Sequence, residues 1–204
     1  MANCCDQECD FTKLQERQRG TLQIVLAINA LMFVVIAAAA IYSHSSALLT
    51  DSLDNLGDAL TYGLSLYAVS RGAATKAKVA LFKGGLIFLA ACIVLGQIIY
   101  KLAVPTLPLF EVMGVFSVIA LLANSVCLYL LTRHRHEDVN MSSVWECSRN
   151  DIATNLSVLF AAGLVWLTDS GWPDILVALA LAVLLMRSAI RVIKSARKEL
   201  LASP

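Results

Sequence analysis

The sequence predicts an all-α, polytopic membrane protein with six transmembrane helices, and three features support this fold class. Hydrophobic residues make up 58% of the 204-residue chain and charged residues 15%, whereas soluble domains average about 45–50% and 25%. Six apolar stretches each reach the roughly 20 residues that a helix needs to cross a bilayer. Lysine and arginine are concentrated in alternate connections. The net charge of +1 carries no information about nucleic-acid binding. No basic patch with interleaved aromatic residues occurs, so nucleic acid is not expected as a partner.

Short or proline-containing connections separate the predicted helices. A brief turn around His44 joins the first two, Pro105 and Pro108 interrupt the chain before the fourth, and TDSGWP precedes the sixth. Proline lacks the N–H that a continuing helix would need. The predicted spans are Thr21–Tyr42, Ala47–Val69, Val79–Leu102, Phe110–Leu131, Ser143–Leu167 and Asp174–Ile193.

The distribution of basic residues predicts that both termini lie in the cytoplasm, because cytoplasmic loops carry an excess of lysine and arginine. Lys101 is the one basic residue in the opposite set of connections. The expected organisation is a cytoplasmic tail at 1–19, a transmembrane domain at 20–198 and a short tail at 199–204, in a bacterial inner membrane. No cleavable leader is expected, because the first span is long and follows an acidic, cysteine-rich segment.

The amino-terminal tail combines three thiols with acidic residues. Cys4, Cys5 and Cys9 lie within MANCCDQECD, and soft thiolates favour metals such as Zn²⁺, Cd²⁺ and Cu(I). Their spacing does not match the C-x-x-C pairs of a zinc ribbon, so a folded finger is not expected. Two interpretations stay open: a flexible tail that collects metal, and a tail whose thiols have no role.

The second predicted helix carries three acids within an apolar span. Asp51, Asp54 and Asp58 are separated by three and four residues, so all three lie on one helix face. A carboxylate near the bilayer centre costs a few kcal/mol, and three of them repel one another. A divalent cation, or protons that compete with it, would relieve that repulsion. Asp51 could instead cap the start of the helix. Asp54 and Asp58 lie at least one turn inside the helix, too far from its start to act as caps.

A second polar face occurs in the fifth predicted helix, where Cys147, Asp151 and Asn155 are spaced four residues apart. Cys147 alone would be interpreted as a small buried residue, but an acid one turn away makes it a candidate ligand. Together with Asp54 and Asp58, Cys147 and Asp151 could surround a tetrahedral Zn²⁺, with Asn155 as an auxiliary ligand. Transporters also hold their substrates at sites that helices form near the middle of the membrane. Asp and Cys must lose protons to bind metal, so metal and protons compete.

The stretch S-x-A-L-L-T-D-S-L-D-N-L-G-D-A-L resembles the cation diffusion facilitators, whose second helix carries a His/Asp-x-x-x-Asp pair. Asp54 and Asp58 match this pair and Asp51 matches an upstream acid, while Cys147 and Asp151 occupy the family's His-x-x-x-Asp positions in the fifth helix. The resemblance spans all six helices and is specific at these two motifs. It implies a proton-coupled antiporter, not an enzyme, that exports Zn²⁺ or Cd²⁺, with Co²⁺ and Ni²⁺ as alternatives, and that needs no cofactor.

The sequence departs from the family pattern in three ways. Cys147 replaces the usual histidine, which favours Zn²⁺ or Cd²⁺ over Mn²⁺ or Fe²⁺. The family's cytoplasmic domain after the sixth helix is not present in the sequence, and the loop after the second helix lacks the His and Asp residues of an additional metal site. A homodimer is carried over from the family, and Gly84, Gly85 and Ala90 permit close helix packing.

The connection between the fourth and fifth helices contains His134 and His136. It resembles a short form of the family's histidine-rich loop and could pass metal towards the site. The alternative is a solvated loop with two chance histidines.

Two other functions fit parts of the sequence. An intramembrane aspartyl protease would use two carboxyl groups, one of them protonated, but such enzymes carry G-x-G-D and this chain offers only Gly57 and Asp58. A membrane protein that binds or senses metal without transport would depend on the amino-terminal thiols. Deletion of residues 1–10 would distinguish sensing from transport, because a transporter should keep most of its flux and a tail-dependent sensor should lose its function.

Overall fold

Six α-helices form the described chain apart from short connections. The computed structural model describes residues 4–68, 73–133 and 139–202. The helices are α1 (Cys4–Ser43), α2 (Ser46–Ala68), α3 (Ala73–Ala103), α4 (Phe110–Thr132), α5 (Val139–Thr168) and α6 (Trp172–Ala202). No strand occurs in these three segments, and the predicted all-α fold with six helices is confirmed.

Five of the six helices are long and apolar enough to cross a membrane. Within the described residues these spans are Arg19–Ser43, Ala80–Ala103, Phe110–Thr132, Cys147–Thr168 and Trp172–Lys198. The exception is α2, whose apolar sequence is interrupted by three aspartates and several other polar residues. This helix contacts α1, α3, α5 and α6. Because it is surrounded by protein, its polar side chains avoid the cost of contact with lipid.

The largest extensions beyond the predicted spans are those of α1 and α6. The predicted tail at residues 1–19 contains the first turns of α1, which begins at Cys4, and α6 continues to Ala202. Both extensions are rich in residues of high helix propensity, such as glutamine, glutamate, arginine and leucine, and neither contains a proline. From Cys4 onwards the amino-terminal segment is helical and continuous with α1, and residues 199–202 of the predicted tail at 199–204 belong to α6.

The helices pack as three close pairs: α1 with α2, α4 with α5, and α3 with α6. The first two pairs are neighbours in sequence, whereas α4 and α5 intervene between α3 and α6. Gly84 allows α3 to approach α6 closely, because a Cβ at this position would lie 2.7 Å from Cγ1 of Ile193 and 3.3 Å from its backbone nitrogen. Contacts of α2 with α3, α5 and α6 join the three pairs into one bundle.

The turn between α1 and α2 contains only His44 and Ser45. His44 adopts a φ of 54°, which reverses the chain through the left-handed region. The N–H of Ser45 donates a hydrogen bond to the carbonyl of Ala40 at 3.1 Å. This short turn fixes the level at which α2 begins, and therefore the level of its aspartates.

A buried polar cluster holds together the end of the bundle where α2 and α6 begin and α3 ends. The fully buried carboxylate of Asp174 accepts hydrogen bonds from Ser45 Oγ (2.6 Å) and from the N–H groups of Ser46 (2.9 Å) and Ala47 (3.0 Å). Lys101 Nζ, also buried, lies 2.9 Å from the same carboxylate. These groups, called the Asp174 cluster below, cap α2 with a side chain from α6.

Candidate metal site

One cavity of about 510 Å³ is lined by all four residues that the sequence predicts as primary metal ligands. Asp54 and Asp58 line it from α2, and Cys147 and Asp151 line it from α5. Its other polar lining residues are Thr50, Asn150, Thr154, Ser157, Ser188 and Arg191. The arrangement follows from helix geometry, because side chains four residues apart lie on the same face of a helix.

Two carboxyl groups from different helices meet in this cavity. Asp58 and Asp151 lie within hydrogen-bonding reach of each other, and Asp54 adds a further carboxyl group close to Asp58. Asp151 is 9% exposed. Two neighbouring carboxylates cannot both stay ionised in such a setting unless a cation lies between them; otherwise one of them holds a proton. The contact therefore suits alternate occupation by a proton and a metal ion.

Two residues that the sequence analysis did not single out also surround Asp58. Tyr62, one turn further along α2 and fully buried, donates a hydrogen bond from its hydroxyl to Asp58 at 3.5 Å. Lys83 of α3 donates a hydrogen bond to Thr61 Oγ1, and its charge interacts with Asp58 and Cys147. A lysine within an apolar span is a signal of function in its own right, so Lys83 could have been found from the sequence.

The predicted auxiliary ligands Asp51 and Asn155 are not among the residues that line the cavity. Asp51 is 2% exposed, and one of its carboxyl oxygens has no hydrogen-bond partner among the described residues. Neither polar side-chain atom of the fully buried Asn155 has one there either. Asp51 adds negative charge near Asp54. The alternative role of Asp51 as a helix cap is wrong, because the start of α2 is capped by Asp174 and Ser45.

The described side chains do not form a complete coordination group. In the part of the chain that the structure describes, no three His, Cys, Asp or Glu side chains are gathered closely enough to hold a metal ion. The four-ligand site thus stays a prediction, supported by a shared cavity and by one contact between carboxyl groups. The side chains of five further predicted ligands lie outside the described residues: Cys4, Cys5, Cys9, His134 and His136.

Comparison with known proteins gives an independent view of the same helices. A family model described as Cation efflux transmembrane domain matches residues 22–201. The match includes both polar faces and runs from the first transmembrane span almost to the end of α6. Among curated proteins, none matches the chain.

Proposed function

The chain belongs to the cation efflux family, and we propose that it exports Zn²⁺ or Cd²⁺ from the cytoplasm in exchange for protons, with Co²⁺ and Ni²⁺ as further cargo. Membership confirms the resemblance to the cation diffusion facilitators. Because the family transports metal cations, the chain is an integral membrane transporter and not an enzyme. The alternative of an intramembrane aspartyl protease is therefore wrong.

The observation that carries the proposal is the shared cavity of Asp54, Asp58, Cys147 and Asp151. The first two residues belong to the α1–α2 pair and the last two to the α4–α5 pair. A cation held by all four would therefore bridge two helix pairs. A small shift of one pair against the other would change the number of ligands within reach of the ion, which is a direct way to couple binding to movement.

The proposed metal follows from the chemistry of the four side chains. Three carboxyl groups alone would suit hard cations, whereas a thiolate favours borderline and soft ones. Four ligands of mixed oxygen and sulfur type suit the tetrahedral geometry of Zn²⁺. Cd²⁺ shares the preference for sulfur, so Zn²⁺ and Cd²⁺ are the expected cargo.

Proton exchange follows from the same ligands, because carboxylates and thiolates bind metal only after losing their protons. Protons entering from outside would displace the ion by neutralising Asp58 and Asp151. Loss of those protons on the cytoplasmic side would restore the anionic site. Proton uptake and metal release are in this way two outcomes of one competition.

We expect the transporter to act as a homodimer in a bacterial inner membrane. Of the three small residues that could permit dimer packing, Gly84 and Ala90 are buried within the chain's own bundle, whereas Gly85 is exposed with open space at its α-carbon. A partner helix would therefore meet α3 on the face that carries Gly85. Large exposed apolar side chains elsewhere on the helices suit contact with lipid.

The test is flux of Zn²⁺ and Cd²⁺ into liposomes that contain the purified protein and an acidic lumen. Asp58→Asn and Asp151→Asn should each reduce flux by at least roughly 100-fold, since even indirect partners of metal ligands are worth 10–100-fold. Asp169→Asn is the matched control. Asp169 is exposed in the turn before α6 with a φ of 48°, which asparagine also adopts.

Parental flux that persists in Asp58→Asn and Asp151→Asn would show that the transport site lies elsewhere. Tight metal binding by the parent without any flux would favour the alternative of a metal-sensing membrane protein. Flux that does not depend on the pH difference would contradict proton exchange while leaving the site intact.

A further inference from the structure

Lys83 is a charged residue in an apolar part of α3. It lies within the span Ala80–Ala103 and is half-buried. Lysines in transmembrane helices commonly extend towards the membrane surface, where water solvates the ammonium group. The ammonium group of Lys83 instead donates a hydrogen bond to Thr61 Oγ1 of α2. The charge is therefore directed into the bundle.

The location of Thr61 brings this charge close to the metal site. Thr61 lies three residues after Asp58 on α2, so the two side chains share a helix face. The ionisable groups whose charges interact with that of Lys83 are Asp58 and Cys147. Among the described side chains, the one ion pair is that of Lys101 with Asp174. Lys83 is therefore held near Asp58 without bonding to its carboxylate, whose oxygens are left for other partners.

A second cation, Arg191 of α6, lines the cavity but differs in its surroundings. Arg191 is exposed, so water and salt screen its charge. Lys83 is half-buried and anchored by a hydrogen bond to α2, which keeps its charge in a less polar setting and in a fixed place. Of these two cations, Lys83 is the one whose charge acts strongly on the site.

We propose that Lys83 is a tethered counter-cation of the metal site, held beside Asp58 by Thr61, and that its charge lowers the affinity for divalent cations so that cargo is released. This inference rests on the proposed transport of divalent metal. A positive charge held close to a divalent ion opposes its binding even at a high effective dielectric constant. After release, the ammonium group offsets part of the negative charge of Asp58 and Asp151.

Cd²⁺ binding to the purified full-length protein, measured by calorimetry, tests this role. Lys83→Met removes the charge and keeps most of the side-chain length, and we expect Cd²⁺ to bind at least about tenfold more tightly and to cross liposomes more slowly. Lys83→Arg keeps the charge and should retain an affinity close to that of the parent. Lys78→Met, at an exposed position of the same helix, is the matched control and should leave the affinity unchanged.

Thr61→Val tests the tether, and its expected effect on Cd²⁺ affinity is opposite to that of Lys83→Met. Valine resembles threonine in shape but cannot accept the hydrogen bond, so the ammonium group is free to reach Asp58 and compete with metal. We expect Cd²⁺ to bind several-fold more weakly to this variant. Because the charge is retained, this variant also decides the outcome if Lys83→Met does not fold.

Equal or weaker Cd²⁺ binding by folded Lys83→Met would overturn the proposal, as would unchanged or tighter binding by Thr61→Val. Asp58→Asn, measured in parallel, separates this failure from a failure of the proposed function. If Asp58→Asn keeps the parental affinity, the metal site itself is misplaced. If Asp58→Asn loses binding and Lys83→Met changes nothing, only the role of Lys83 is wrong.

Discussion

The bundle contains two groups of buried carboxyl groups with opposite surroundings. Asp174 receives three hydrogen bonds from the start of α2 and an ion pair from Lys101. The second group consists of Asp54, Asp58 and Asp151, belongs to the proposed metal site and is called the metal-site group below. In it, Asp58 and Asp151 contact each other, and Asp54 lies close to Asp58. The carboxylate of Asp174 is surrounded by hydrogen-bond donors, whereas the carboxyl groups of the metal-site group are surrounded mainly by one another.

This difference predicts separate roles for the two groups, one in stability and one in metal binding. A buried charge is tolerated when donors and a counter-charge compensate its loss of water, which is the situation of Asp174. Acids that face one another are unfavourable until a cation or a proton joins them. The Asp174 cluster should therefore contribute mainly to stability, and the metal-site group mainly to binding and flux.

The largest effect on stability is expected from Asp174→Ala. This change leaves Lys101 as a buried charge without its partner and uncaps α2, and we expect a loss of about 3–5 kcal/mol of folding free energy. Thermal unfolding in detergent measures the loss. Asp174→Asn should be milder, because its amide oxygen can still accept from α2. A loss in Asp174→Ala no greater than that in Asp169→Ala would contradict the structural role.

Lys101→Met should destabilise the bundle less, by about 1–3 kcal/mol, because Asp174 keeps its three other donors. The double variant Asp174→Ala with Lys101→Met should be more stable than Asp174→Ala alone, since it contains no unpaired buried lysine. Strictly additive losses in this double-mutant cycle would show that the two residues do not act as a pair.

In the metal-site group, exchange of a ligand should change selectivity rather than stability. Cys147→His replaces a soft thiolate by an imidazole, and we expect the preference for Cd²⁺ over Co²⁺ to fall by about tenfold. Competition binding with both ions measures the ratio, and the melting temperature should stay close to that of the parent. An unchanged ratio would place Cys147 outside the coordination shell.

The smallest effect is expected from Asp58→Asn on stability in the absence of metal. An amide can donate to Asp151 without first having to take up a proton, and the melting temperature should rise by about 2–4 °C. The same substitution in the Asp174 cluster, Asp174→Asn, should lower it. If the melting temperature falls in both variants, the two groups of carboxyl groups do not differ in their effect on stability.

Local patterns in the sequence predicted the six helices and the two i, i+4 pairs of polar side chains that line one cavity, because these features require only helix periodicity and span length. The partners of Asp174 and Lys83 could not be predicted in the same way, since both depend on how α3 and α6 pack against α2. The start of α1 at Cys4 was missed for a different reason. Hydropathy detects the part of a helix that crosses the bilayer, and it does not show where a polar extension begins.

The pairing of α3 with α6 also sets the order in which the protein can be assembled during synthesis. The α1–α2 and α4–α5 pairs are complete as soon as their second helix emerges, but α3 must wait until α4, α5 and α6 have been made. At about 5–20 residues per second this delay lasts several seconds. Until α6 arrives, Lys101 lacks its carboxylate and α2 lacks the part of its cap that Asp174 supplies. Incomplete chains therefore contain uncompensated polar groups that the finished bundle pairs.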